Sequence, residues 1–168
     1  MLRLVLVATL LSGCRVSLEN ADTTDGGSNG RACSISTASP QCQDAVNHSD
    51  LAWIEQNVFK GACDFSGCHN GDNSAQGKID LRIGKSYAHL VNYASVIDTT
   101  RKLVVPNDVA ASYLMLMVRD VAPAMANPPG NPPPGKVGYM PQTGGSTVLC
   151  CQKLDALERW IMAGAPSM

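Results

Sequence analysis

Cys63, Cys68 and His69 stand within seven residues, "CDFSGCH", and two thiols beside an imidazole can do three kinds of chemistry. The thiols can add across the two vinyl groups of a haem while the adjacent histidine takes an axial position on the iron, since a Cys-His pair fixes the porphyrin and reaches its axis together. The attachment signature is C-x-x-C-H; here four residues separate the cysteines. Alternatively Cys63 and Cys68 close a short disulfide, leaving His69 an ordinary surface histidine in a haemless structural or binding module. A third arrangement is zinc held by Cys63, Cys68, His69 and one of Cys150 or Cys151, the gap lying inside the C-x₂₋₄-C range. Adjacent ligands at Cys68 and His69 would strain that tetrahedron.

The haem reading asks for a distal ligand, and Met140 is the best placed: it precedes Pro141, in a loop just before the last helix. A thioether there raises the reduction potential relative to a second histidine. Met125 lies in the same loop and is its rival. Met115 and Met117 fall in an apolar helical stretch and read as core. His48 or His89 would make a bis-histidine site, although His89 sits on a predicted helix where a surface or partly packed imidazole is expected. The sequence contains no GxSxG, no HExxH, no phosphate-binding glycine loop and no paired carboxylates in a helical frame.

The elements that must position these residues follow from spacing. Ser49-Asp50 offers an N-cap, and Leu51, Ile54 and Val58 form one apolar stripe that Gly61 ends just before Cys63. Ile79, Leu81 and Ile83 alternate with polar residues and predict a short extended piece. Ser86 can cap a helix through Tyr87, Leu90, Val91 and Ala94. "RKLVVPND" reads as extended up to Pro106, and Asn107 or Asp108 opens a helix through Tyr113, Leu114 and Met117. Pro123 to Pro141 holds seven prolines and three glycines, a density that excludes regular structure. Cys150, Leu154, Leu157 and Ile161 then share a helix face with Trp160 beside them; Gly164 stops that helix and Pro166 forbids its continuation. Cys150 points inward, and Cys151 is turned away from it around the helix.

The ends and composition set the context. Arg3 followed by the apolar run Leu4–Leu11 reads as a signal segment too short to span a bilayer. "LSGC" (11–14) matches the lipobox of bacterial lipoproteins. That match implies a signal peptide over 1–13 and lipidation of Cys14, whose acyl chains would hold the protein at a membrane surface. Residues 14–31 form the lipidated N-terminus and a flexible linker, polar and glycine-rich. Residues 32–48 read as an irregular, cysteine-containing loop closed by a disulfide, and 49–168 as one domain. Net charge is −1 with no basic block, which argues against nucleic acid as a partner. Beyond Cys14, Cys63 and Cys68, the cysteines Cys33, Cys42, Cys150 and Cys151 are expected to form structural disulfides in an oxidising compartment. Cys33 and Cys42 are the obvious partners for the vicinal pair. Two Trp, two Phe and four Tyr are few for such a domain, so a cofactor or disulfides must supplement the core.

Taken in order, "VF" (58–59), "CDFSGCHNG", "IDLRIGKSYAHLVN", "LVVPNDVAASYLM", "YMPQTG" and "LERWIMAGAP" resemble the monohaem class I cytochrome c-like domains of bacterial envelope lipoproteins, over roughly residues 50 to 166. The resemblance implies a mainly α fold, small and helical, with extended segments and a long proline-rich loop. It implies one covalent haem c with thioethers to Cys63 and Cys68 and axial ligands His69 and Met140. In that fold the first and last helices cross, so Leu51, Ile54 and Val58 should meet Leu154, Leu157 and Ile161. The expected activity is one-electron transfer rather than catalysis, with envelope redox proteins as transient partners. Near-neutral charge predicts weak electrostatic steering of those encounters. Arg15 after the lipid cysteine favours the outer membrane, by the same resemblance, with the domain facing the periplasm. The four-residue spacing departs from the family's usual two.

Overall fold

The computed structural model describes residues 39–64, 68–71, 79–119, 129, 140–141 and 149–167. The signal segment 1–13, Cys14, the linker 14–31, Cys33, Met125 and most of the proline-rich loop lie outside the described residues. Helix is the regular structure among those described; other backbone pairing is confined to isolated bridges such as Val91 with Val104 and Ala94 with Lys102.

The chain opens with helix α1, Pro40–Asp44, and a 3₁₀ turn, Ala45–Asn47. Ser39 caps α1 by accepting the Cys42 N–H at 3.2 Å, and Pro40 occupies the first turn, where its missing N–H costs nothing. Over 40–47 helix thus replaces the irregular structure expected for 32–48, and 32–38 lie outside the described residues. Cys42 is bonded to Cys150, 108 residues away, and does not close a local loop. Cys151 is disulfide-bonded as well.

Helix α2, Leu51–Ile54, starts at Asp50, whose carboxylate accepts the Trp53 N–H at 2.8 Å, and widens into a π-helical stretch, Glu55–Phe59. Leu51, Ile54 and Val58 are buried as their spacing predicts, with Phe59 joining them. Gly61, at φ +75°, lets the chain leave the helix left-handed, a conformation costly for other residues.

Three shorter expectations change. Residues 79–83 form no strand: Leu81 is buried and Ile83 exposed, because Asp80 folds back to bind the N–H and guanidinium of Arg82. Helix α3 spans Ser86–Leu90 and ends before Ala94; Asn92, at φ +58°, turns the chain toward Val104. Ser86 is not its cap, since its hydroxyl donates to Glu55 instead. Helix α4 spans Tyr113–Arg119 and begins later than Asn107 or Asp108; Asp108 accepts the Ala111 N–H in a turn, and Asn107 donates to the Ile161 carbonyl at the end of the last helix.

That last helix, α5, spans Cys151–Met162, with Cys150 in the N-cap position. Leu154, Leu157, Trp160 and Ile161 are buried, and the Trp160 indole N–H donates to the Pro166 carbonyl at 2.8 Å. Helix α5 packs on α1, on the 3₁₀ turn, on α2 and on α4. Leu51, Ile54, Val58, Leu154, Leu157 and Ile161 belong to one core. Arg159 ties α5 to the 3₁₀ turn by donating to the Ala45 and His48 carbonyls at 2.6 and 2.8 Å. Arg119, at the end of α4, pairs with Asp155 and Glu158 on α5. No helix among the described residues is long and apolar enough to cross a membrane.

Candidate functional site

The π-helical stretch delivers the chain to Cys63 in a tight wrap. The Phe59 carbonyl accepts from the N–H groups of Cys63 at 2.8 Å and Asp64 at 3.2 Å, while the Asp64 carboxylate accepts the Gly61 N–H at 2.8 Å. His69 is then held through its backbone from both sides: its N–H donates to the Cys63 carbonyl at 2.9 Å, and its carbonyl accepts from Leu81 at 2.8 Å. Gly71, at φ +74°, follows closely. A Cβ there would lie 2.7 Å from both Arg82 Nη2 and Asp80 Oδ2, so glycine is required for the His69 loop to close against that ion pair. Met140 arrives from the far side of the chain, its N–H donating to the Met117 carbonyl of α4 at 2.9 Å.

These segments surround a cavity of about 280 Å³, partly open to solvent and walled mostly by apolar side chains. Cys63, His69 and Met140 all lie on its wall, together with Phe59, Leu90 and Tyr113. Cys68 is half-buried next to His69 in the chain but is not on the wall. Met117, assigned from its helical spacing to the core, is buried and lines the same cavity, so it faces whatever fills that space. The Cys63 thiol is pushed up to about 12 by burial, and further by the negative charges of Asp64 and Cys68, so it is a neutral thiol at physiological pH.

The competing arrangements fare differently. Cys63 and Cys68 carry free thiols and are not joined. Cys150 and Cys151 are both in disulfides and cannot supply a fourth ligand to zinc. No group of three His, Cys, Asp or Glu side chains suited to a metal ion occurs among the described residues. His48 is stacked on Trp53 with ring centroids 4.6 Å apart and sits 3.0 Å from the Asp50 carboxylate; His89 packs on Tyr93 at 5.8 Å. Neither lines the cavity.

Comparison of the chain with protein-family models, with curated proteins and with solved structures gave no match.

Proposed function

We propose that the chain is a one-electron carrier of the bacterial envelope, in which a cytochrome c-like domain holds one haem through thioether bonds to Cys63 and Cys68, with His69 and Met140 as axial ligands. The observation that carries this reading is the convergence of Cys63, His69 and Met140, from separate segments, on the wall of one apolar cavity.

The residues present fit such a group. An apolar wall with few polar atoms suits a flat macrocycle, and a cavity at the small end of the ligand-binding range would leave part of it exposed. An imidazole and a thioether are the donor pair of His/Met haem sites. The raised Cys63 thiol disfavours binding of a divalent metal, which requires the thiolate. When bound, haem supplies one-electron exchange between ferrous and ferric iron.

The chain's own residues do the rest. Val58, Phe59, Leu81 and Leu90 give the cavity an apolar wall. The backbone bonds from His69 to Cys63 and from Leu81 to His69 set where the imidazole stands, and the Met117 carbonyl sets where Met140 stands. Were His69 and Met140 both to hold the group, they would leave no open position for a substrate, and the protein would act as a carrier. The packing of α2 on α5 in a common core agrees with the crossed terminal helices of the cytochrome c fold. The Cys42–Cys150 disulfide agrees with an oxidising compartment, and hence with export and a lipid anchor at Cys14. Partners are envelope redox proteins that meet the domain transiently.

The test is an intact mass of the full chain after export in a host with c-type haem maturation. A gain of one haem that survives acid denaturation is expected. For the soluble domain, residues 31 to 168, exported in the same host, a mass equal to the bare chain less the hydrogens of three disulfides would remove the electron-transfer function.

A further inference from the structure

Cys63, His69, Ser95 and Tyr113 bring polar side chains to a cavity wall that is otherwise apolar. Ser95 belongs to a segment of its own, 95–97, every residue of which lines the cavity. Backbone bonds fix that segment. The Ser95 N–H donates to the Arg101 carbonyl at 2.9 Å, the Arg101 N–H to the Asp98 carbonyl at 3.0 Å, and the Leu103 N–H to the Tyr93 carbonyl at 2.7 Å. Val96 is 53% exposed and still on the wall, whereas Ser95 is 2% exposed. The segment is therefore a rim of the cavity, with Val96 at the opening and Ser95 inside it.

A hydroxyl has one proton to give and two lone pairs to fill. Of the buried serines, Ser86 donates to Glu55 Oε1 at 2.6 Å and Ser112 to the Asp108 carbonyl at 2.6 Å. Ser95 only accepts: its Oγ takes the N–H groups of Ile97 and Asp98, both at 3.1 Å. Among the described residues nothing accepts its proton. The nearby Asp98 Oδ1 is engaged by the Thr100 N–H at 3.1 Å and the Thr100 hydroxyl at 2.5 Å. An occupant that displaces water from this wall must supply an acceptor or leave a buried donor unpaired.

We propose that Ser95 is a positioning residue: its hydroxyl donates to a propionate carboxylate of the haem and so holds the polar edge of the macrocycle at the 95–97 rim. This rests on the haem reading above. The oxygen acceptors of haem are its two propionates, and a ring that enters an apolar cavity keeps those charged groups nearest to solvent. A donor on the rim meets both demands. The bond favours the ionised carboxylate and so lowers the pH at which that propionate takes a proton. Protonation removes negative charge near the iron, so the potential climbs as pH falls through that value.

The experiment is a redox titration across pH of the full-length, haem-loaded protein beside Ser95→Ala and Ser95→Thr. In Ser95→Ala the climb should set in about one pH unit higher than in wild type, the scale of one hydrogen bond to a charged group. Ser95→Thr keeps the hydroxyl and should restore the wild-type profile, which separates a lost donor from a damaged loop. The ionisable side chains on the wall and rim, Cys63, His69, Asp98, Arg101 and Tyr113, are the same in every variant. Matching profiles in wild type and Ser95→Ala overturn the inference, as does an altered profile that threonine fails to restore. Ser95→Ala also removes the acceptor of two N–H groups, so a measurement on wild type alone guards against a variant that does not fold. Ferrous wild type should show nuclear Overhauser contacts between the Ser95 β-protons and a propionate methylene; their absence overturns the inference. Wild-type chain that gains no haem mass sinks the carrier reading and this inference with it. Haem-loaded wild type without those contacts sinks this inference alone.

Discussion

Where α1 and its 3₁₀ turn meet α5, the chain is held by a disulfide, a guanidinium bridging two carbonyls and the fully buried Trp160. Around Cys63, His69 and Met140 the segments are joined by backbone hydrogen bonds, among them His69 to Cys63, Leu81 to His69 and Met140 to Met117, and the space between the segments is a cavity. The first region is cross-linked and filled; the second is lined but not filled. A small domain poor in aromatics cannot spread its stabilising contacts evenly. Concentrating them at the α1–α5 face leaves the opposite segments free to shape a binding wall.

If that division is right, damage to the two regions should have different consequences. The largest effect is expected from Trp160→Ala, which removes a fully buried ring and its hydrogen bond to Pro166; a loss of about 3–5 kcal/mol should show as a lower urea midpoint. Replacing Cys42 and Cys150 together by alanine opens a closure of 108 residues and should cost roughly 2–5 kcal/mol in the same assay. In both variants the visible spectrum of haem-loaded protein below the unfolding transition should stay that of wild type. A changed spectrum in either would mean that the two regions are not separate.

Met140→Ala is expected to do the reverse. Met140 is half-buried, so stability should fall by about 1–2 kcal/mol, while absorption and potential change and haem content does not. Met117→Ala sharpens the comparison within the cavity itself. Met117 lines the same wall, and its variant should leave the spectrum unchanged if Met140 is the ligand. A spectral change in Met117→Ala and none in Met140→Ala would exchange their roles.

The cross-linked region and the lined region were also legible in the sequence to different degrees. The α5 face was readable because Leu154, Leu157 and Ile161 repeat at helical spacing and Gly164 and Pro166 mark the stop. Helix α1 was missed although Ser39-Pro40 is a cap followed by a first-turn proline, because five residues are too few for a period to show. The motif and Met140 could be named from residue type alone. Their common cavity could not, because it depends on Leu81 reaching His69 and on α4 receiving Met140, contacts between distant segments. Met117 was hidden for a related reason: a methionine in an apolar helical stripe looks the same whether it packs on protein or faces a ligand. The Glu55–Ser86 contact was hidden because Ser86 lies 31 residues on and itself resembles a helix cap. The π-helical widening from Glu55 to Phe59 leaves almost no mark on the apolar spacing.

The smallest effect concerns the ion pair that stands against the His69 loop. Arg82 holds the Asp80 carboxyl below its ordinary range, chiefly through their hydrogen bond, with burial opposing, and the Arg82 N–H and positive charge adding to the downward shift. A carboxyl lowered on folding stabilises the native state above its unfolded value, about 4, and the contribution disappears as pH falls through the folded value below that. Asp80→Asn removes the titration, so the wild type should be more stable than the variant at pH 7, with the gap closing below about pH 4. Because the Arg82 side chain is half exposed, the gap should be small and should shrink in high salt. Urea unfolding of both proteins at pH 7 and pH 3 measures it. An equal gap at both values would mean that Asp80 acts by shape alone, filling the space that Gly71 leaves. The Asp80–Arg82 pair would then contribute to the loop's form and nothing to its stability through charge.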